Sequence, residues 1–242
     1  MIAGGSRRRS HLSRAPARGP AADLMADRTR ALALTPVSRE TVSRLDRFVA
    51  LLLAWQRTTR LIARATEPLL WTRHVADSLQ LLTLAPQARI WADLGSGGGF
   101  PGLVIACALA DERGACVHLV ESNLKKAAFL REAVRAVDAP AIVHAVRLAD
   151  FIADRPAAID VVTARALAPL VELLGSTYPL LRSGCLGLFP KGQDVDAELT
   201  EATKYWNMQV SLLPSRTNAK SRVVVVRGLE PKFEPARRPR LG

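Results

Sequence analysis

Cysteine is scarce in this chain. Cys107, Cys116 and Cys185 stand apart at spacings that suit neither a disulfide framework nor a zinc ribbon. A metal site is therefore not expected, and the expected setting is a reducing cytoplasm. Aromatic residues make up only 5% of the sequence, too few for a platform that stacks a run of unpaired bases. No apolar run reaches the ~18–20 residues that a membrane helix requires. The basic first residues are not followed by an unbroken apolar stretch, so neither a membrane association nor a secretory signal is expected. Internal repeats are lacking, which excludes a solenoid.

What the chain does have is apolar material. Hydrophobic residues are 49% of 242 and charged residues 23%, enough to build a sizeable core and to exclude wholesale disorder. The net charge of +12 is unevenly spread. Residues 1–30 carry +5 and residues 216–242 carry +6, around a body that is close to neutral. Basic ends raise the expectation of a polyanionic partner such as nucleic acid.

The pattern along the chain predicts four regions. Residues 1–24, with Arg7-Arg8-Arg9 and several Gly and Pro, show no period and are expected to be a disordered basic tail. Residues 25–88 are expected to be a helical extension. Val42, Leu45, Val49, Leu52 and Trp55 recur at helical spacing behind Ser38 as N-cap, and a second helix is expected from about Thr66 to Leu82. Residues 89–229 alternate short apolar runs with helical segments, which predicts a mostly parallel sheet covered on both faces. Its last two strands, Met208–Leu213 and Arg222–Arg227, have no helix between them and predict a terminal antiparallel pair. Residues 230–242 are expected to be a basic C-terminal tail.

One segment carries the chemistry. Asp93-Leu94-Gly95-Ser96-Gly97-Gly98-Gly99-Phe100-Pro101-Gly102 lies between a predicted strand and a predicted helix. Glycines there let the chain turn sharply and let a ligand approach the backbone. Glu121 ends the next strand, where a carboxylate can accept hydrogen bonds from both ribose hydroxyls of an adenosine-containing cofactor. Two frames fit the letters. Gly97-x-Gly99-x-x-Gly102 matches the dinucleotide fingerprint, which would make the chain an NAD-dependent oxidoreductase. Asp93-x-Gly95-x-Gly97-x-Gly99 resembles the first motif of class I S-adenosylmethionine (AdoMet) methyltransferases. A carboxylate at Asp93 is a poor neighbour for a diphosphate and a good one for a sulfonium and an ammonium. Pro101 also removes one N–H from the helix start. The charge argument favours AdoMet.

Several further segments, taken in order, resemble one family. They are Arg73-His74-Val75-Ala76-Asp77-Ser78 before the first strand, Arg165-Ala166-Leu167-Ala168 after the fourth, and Lys191-Gly192 after the fifth. With the glycine loop they resemble the bacterial 16S rRNA guanine-N7 methyltransferases (RsmG, also called GidB) over roughly residues 35–227. The resemblance implies an α/β, class I AdoMet-dependent methyltransferase (Rossmann-like) fold with N-terminal helices, AdoMet as cofactor, and 16S rRNA or the small ribosomal subunit as partner. A monomer is expected. Guanine N7 has an in-plane lone pair and no hydrogen, so attack on a methyl group needs alignment and no general base. The other methyltransferase chemistries are less well served. None of the cysteines sits in the Pro-Cys motif of a C5-pyrimidine enzyme, and Ala164-Arg165-Ala166 stands where an exocyclic-amine enzyme carries Pro-Pro-aromatic.

Site residues follow from fold position together with this resemblance. Asp93, Gly95, Gly97, Gly99 and Phe100 are expected to bound the AdoMet pocket, with Glu121 on the ribose. Leu148 and Ala149, with Asp150 close by, are expected at the adenine edge. Arg165 is expected to contact AdoMet or the guanosine in the methyl-transfer zone, and Lys191 a phosphate or the guanine O6. His74 is expected to be structural, Asp77 to cap or to pair with Arg73, and Lys125 and Lys126 to be a solvated helix face. Arg57, Arg60, Arg64, Arg216, Lys220 and Arg222 are candidates for RNA phosphates. The readings left open beside this one are a methyltransferase for a small molecule or another RNA base, the oxidoreductase, and an RNA-binding protein without activity.

Overall fold

The computed structural model describes residues 20–154 and 158–233. Residues 1–19, the greater part of the expected basic tail, and residues 234–242 of the C-terminal one lie outside the described residues.

The sheet has seven strands: β1 (Ile90–Leu94), β2 (Cys116–Val120), β3 (Ala141–His144), β4 (Val161–Ala164), β5 (Leu186–Lys191), β6 (Trp206–Pro214) and β7 (Arg222–Pro231). Their order is β3-β2-β1-β4-β5-β7-β6. The first five are parallel, and β7 lies antiparallel between β5 and β6. The chain therefore reverses strand order beside β1, where α/β sheets place their ligands. Alternation along β1 divides the core. Trp91 belongs to the cluster on one face, with Val117, Val161 and Leu188. Ala92 and Leu94 belong to the other, with Val120, Val162 and Phe189.

Helices cover both faces. Beside the expected α2 (Arg39–Gln56), α4 (Gly102–Ala108), α5 (Leu124–Val137), α7 (Leu170–Arg182) and α8 (Val195–Ala202), there are two that periodicity did not suggest, α1 (Pro20–Leu34) and the short α6 (Leu148–Ala153). Ser38 caps α2 by accepting from Thr41 N, and Asn123 caps α5 by accepting from Lys125 N and Lys126 N. Helix α1 begins five residues before Met25, at Pro20-Ala-Ala-Asp23, a good first turn. Its Asp27 is buried and accepts from Thr72 N at 3.0 Å, which docks α1 on the segment that follows.

That segment, expected as one helix, is irregular. A 3₁₀ turn (Arg64–Leu69) passes into a π-helical turn (Trp71–Ala76), one α turn α3 (Asp77–Leu79) and a second 3₁₀ turn (Gln80–Leu84). The wider π turn changes which residues share a face. Arg73 and Asp77 are thus not the i, i+4 pair that the spacing suggested, and Asp77 is turned toward the sheet. Aromatic rings root the helical extension on the glycine loop: Phe48 of α2 lies 5.2 Å from Phe100, and Trp55 lies 5.7 Å from Phe129 of α5.

Candidate active site

Beyond the carboxyl ends of β1, β4 and β5 lies a cleft of about 1240 Å³. Its floor is the turn after β1. Here Gly95, Gly97 and Gly99 take positive φ angles of 70°, 54° and 89°, the left-handed conformation that glycine adopts without penalty. Gly99 has a second constraint, since a Cβ there would lie 3.0 Å from Phe48 Cζ. Gly102 meets a stricter one. A Cβ would fall 2.4 Å from Leu119 Cδ2 and 2.6 Å from the Asp93 carboxylate, so the helix start rests directly on the sheet.

Most backbone donors of this turn are already used. Gly95 N and Ser96 N donate to Val120 O, Gly99 N to Ser96 O, Gly97 N to Glu121 Oε2 (2.9 Å) and Gly102 N to Asp93 Oδ2 (3.0 Å). A turn that binds diphosphate must present free N–H groups, and this one spends five of them internally, with Pro101 supplying none. What it offers a ligand is negative charge. Glu121 is largely buried and its second oxygen accepts from Asn123 N at 2.7 Å. Asp93 is fully buried, and its Oδ1 has no hydrogen-bond partner. Burial pushes the Asp93 carboxyl up to about 6, against the opposing effects of the Gly102 N–H and Arg165. An acidic floor with most of its donors already spent fits a cationic, phosphate-free cofactor such as AdoMet better than the diphosphate of NAD.

The cleft gathers part of the expected constellation. Gly95, Gly97, Phe100, Arg165 and Lys191 line it. Asp93, Gly99 and Glu121 lie beneath or beside that wall. Leu148 and Ala149 open α6 and line a separate cavity of about 500 Å³ with Arg147, Ile152 and Ser176.

Arg165, at the end of β4, is held from three directions. Its Nη1 donates to Arg73 O at 3.1 Å and lies 3.9 Å from Asp77 Oδ2, its Nη2 lies 2.6 Å from His74 Nδ1, and its Cζ sits 5.3 Å from the Phe100 ring centroid. The tautomer of His74 follows from what lies behind it. Thr66 donates its hydroxyl to Ala63 O (2.7 Å), so its oxygen accepts from His74 Nε2–H (2.9 Å), and Nδ1 is left bare to accept from Arg165. Burial first, then Arg165 and Arg73, push the His74 imidazole down to about 3. It is a neutral acceptor. Burial also lowers the Arg165 guanidinium from its ordinary value, while Asp77 and Asp93 oppose that shift.

Lys191 is engaged within the protein. Its Nζ donates to Ala168 O (2.8 Å) and pairs with Glu198 Oε2 (2.7 Å), which also accepts from Leu170 N (2.6 Å). It fastens the 165–169 turn to β5 and α8. Lys126, expected on a solvated helix face, lines the cleft instead. Gln56 accepts from Leu61 N and Ile62 N, holding those two side chains as the apolar wall of the cleft. Glu198, Thr66 and Gln56 were not singled out in the sequence, because their partners are set by packing between elements rather than by spacing.

The sequence model of the family described as rRNA small subunit methyltransferase G matches residues 41–224. The chain belongs to this family. Among its curated relatives is the ribosomal RNA small subunit methyltransferase G of Bradyrhizobium sp. strain BTAi1, 59% identical over 86% of this chain and 93% of that one. The namesake from Rhodopseudomonas palustris strain BisB18 is 56% identical over 91% of this chain and 94% of its own. The fold is that of class I methyltransferases. The O-methyltransferase of Bacillus cereus, solved in complex with SAH, superposes with a TM-score of 0.54 at 14% identity, covering 86% of this chain and 100% of that one. A second, TomG from Streptomyces achromogenes, solved with SAM, gives a TM-score of 0.51 at 14% identity over 84% of this chain and 96% of that one. Membership of the rRNA family accounts for the Arg73–Ser78, Arg165–Ala168 and Lys191-Gly192 segments meeting around one cleft.

Proposed function

We propose that this chain transfers the methyl group of AdoMet to N7 of a guanosine in 16S rRNA. The observation that carries the cofactor reading is the turn after β1, which spends five of its N–H groups internally above two buried carboxylates. AdoMet, when bound, supplies an electrophilic methyl group and a positive charge. Gly95, Gly97 and Phe100 would hold it against the turn, with Glu121 for its ribose; Leu148 and Ala149 would meet its adenine only if the cofactor extends past Glu121 into the second cavity.

The rest of the reaction asks little acid–base chemistry of the protein. N7 bears a lone pair and no proton, so the residues must align it and exclude competing nucleophiles. Arg165 is suited to that task, being fixed by His74, Asp77 and Phe100 at the mouth of the turn. Lys191 contributes by holding Ala168. His74, neutral and already accepting from Arg165, is a positioning residue.

The substrate reading rests on the family's name and on charge. Among the described residues, five cations and two carboxylates line the cleft. Arg57, Arg60, Arg64, Arg216 and Lys220 are exposed near it in sequence and are suited to RNA phosphates. No described helix is long and apolar enough to cross a membrane. We propose a cytoplasmic monomer that acts on 16S rRNA or on the small ribosomal subunit, assembly intermediates included.

Deleting the gene and mapping N7-methylguanosine in 16S rRNA tests the substrate. One modified guanosine should disappear from the map, and an unchanged map would defeat the rRNA reading. Calorimetry should show AdoMet binding and no NAD binding.

A further inference from the structure

The turn between β6 and β7, residues 215–221, is absent from the cofactor reading, yet Thr217, Asn218, Ala219 and Ser221 line the cleft. With Arg216 and Lys220 on its exposed side and Arg222 at its end, it carries three cations and no acid. It reaches the cleft because one carboxylate pulls it there. Asp77 Oδ1 accepts from Thr217 Oγ1 at 2.8 Å, from Ser215 Oγ at 3.2 Å and from Gln80 Nε2 at 2.7 Å. Gln80 completes the grip, its Oε1 accepting from Arg216 N at 2.9 Å. The turn also closes on itself through Ser215 N to Ser221 O (3.1 Å) and Ser221 N to Asn218 O (3.0 Å). The other oxygen of the same carboxylate, Oδ2, faces Arg165 at 3.9 Å. The residues brought together are 138 and 140 positions apart from Asp77 in the chain.

We propose that Asp77 is a positioning residue with two separable tasks. Through Oδ1 it fastens the β6–β7 turn as the wall on which the RNA backbone docks. Through Oδ2 it orients Arg165. This rests on the rRNA reading for the identity of the docked polyanion. The physical argument is that a half-buried carboxylate with three donors on one oxygen and a cation beside the other is a rigid junction. The turn it holds has no other side-chain anchor to the helical extension among the described residues than Asp77 and Gln80. AdoMet would sit against the opposite wall, so loosening the turn should leave its binding alone.

Two variants of the full chain separate the tasks. Ser215→Ala with Thr217→Val removes the hydroxyls that reach Oδ1 and leaves the Arg165 contact. We expect faster hydrogen exchange at amides 216–221. Affinity for a transcribed 16S rRNA and its KM should weaken about tenfold, with kcat and AdoMet affinity within about twofold. Asp77→Asn keeps an acceptor for the turn but removes the charge facing Arg165. Here kcat should fall about tenfold or more while exchange at 216–221 stays near wild type. Unchanged exchange in the first variant, or unchanged RNA affinity despite faster exchange, would overturn the proposal. Equal losses of RNA affinity and kcat in both variants would reduce Asp77 to a scaffold and also overturn it. Wild-type protein that binds this RNA without methylating it would count against the rRNA reading, while the affinity comparison still decides the role of the turn.

Discussion

Arg165 donates to Nδ1 of His74 across 2.6 Å, although the two residues are separated by 91 positions in the chain. The bond exists only while His74 is neutral, because a protonated ring has no acceptor left. Its imidazole is pushed down to about 3. The unfolded chain therefore takes up a proton near 6.5 that the folded chain refuses until about 3, and the folded state loses stability as pH falls through that window. Asp93 acts in the opposite sense. Folded, it keeps its proton up to about 6, against 3.8 when unfolded, so it favours the folded state as pH falls from 6 to 3.8.

His74→Phe should keep the ring packing on Phe100 and remove both the acceptor and the titration. Its melting temperature should lie below that of the wild type at pH 7, and the gap should narrow as pH is lowered toward 4. A gap that is constant with pH would mean that the wild-type ring is not held neutral. Methyl transfer at pH 7 should fall about tenfold, the cost of one misplaced charged hydrogen bond.

Arg165→Ala is expected to lower kcat/KM by about two orders of magnitude, comparable to the loss of one preorganised donor at a reacting centre. Circular dichroism should show the domain still folded. Transfer at the wild-type rate would make the arginine a bystander.

Lys191→Met should test fastening rather than phosphate contact. It strips Ala168 O and Glu198 of their shared cation, at a cost of about 1–3 kcal/mol in denaturant unfolding. Transfer should fall as the 165–169 turn loosens. Because the lysine is engaged internally, the salt dependence of RNA binding should not change, and a slope reduced by about one would instead return it to the phosphates.

Gly102→Ala places a methyl group against Leu119 and Asp93 where no room exists. Overpacking of this kind costs about 1–3 kcal/mol. A variant as stable as the wild type by thermal melting would show that α4 can shift without penalty.

RNA binding should weaken steeply with salt. Alanine at Arg60 or at Lys220 should lower the log–log slope by about one for each phosphate that the missing cation had neutralised.

The sheet was legible because its signals are local. Apolar runs of four to six residues, punctuated by Gly, Pro and capping Ser or Asn, gave the strands and most helices within a few residues. The glycine turn and Glu121 were legible for the same reason. Helix α1 was not, since Pro20–Leu34 has Arg and Asp interleaved with its apolar residues and is stabilised by docking through Asp27. The π turn at Trp71–Ala76 was also hidden, and with it the direction of Asp77. The partners of Arg165 and Lys191 are contributed by other elements, and no spacing rule connects Arg165 to His74 or Lys191 to Glu198. That Arg165 and Lys191 stand at strand ends was thus legible, whereas their being held by the protein itself was not.

The last strand of the sheet to leave the ribosome, β7, is inserted in the middle of the antiparallel half, between β5 and β6. Every nascent chain that stops short of Arg222 leaves β6 without a neighbour and the 215–221 turn without its second stalk. Synthesis must therefore pass this strand before the cleft has both walls. A chain that ends there holds every strand of the parallel half, yet nothing returns its 215–221 turn to the sheet.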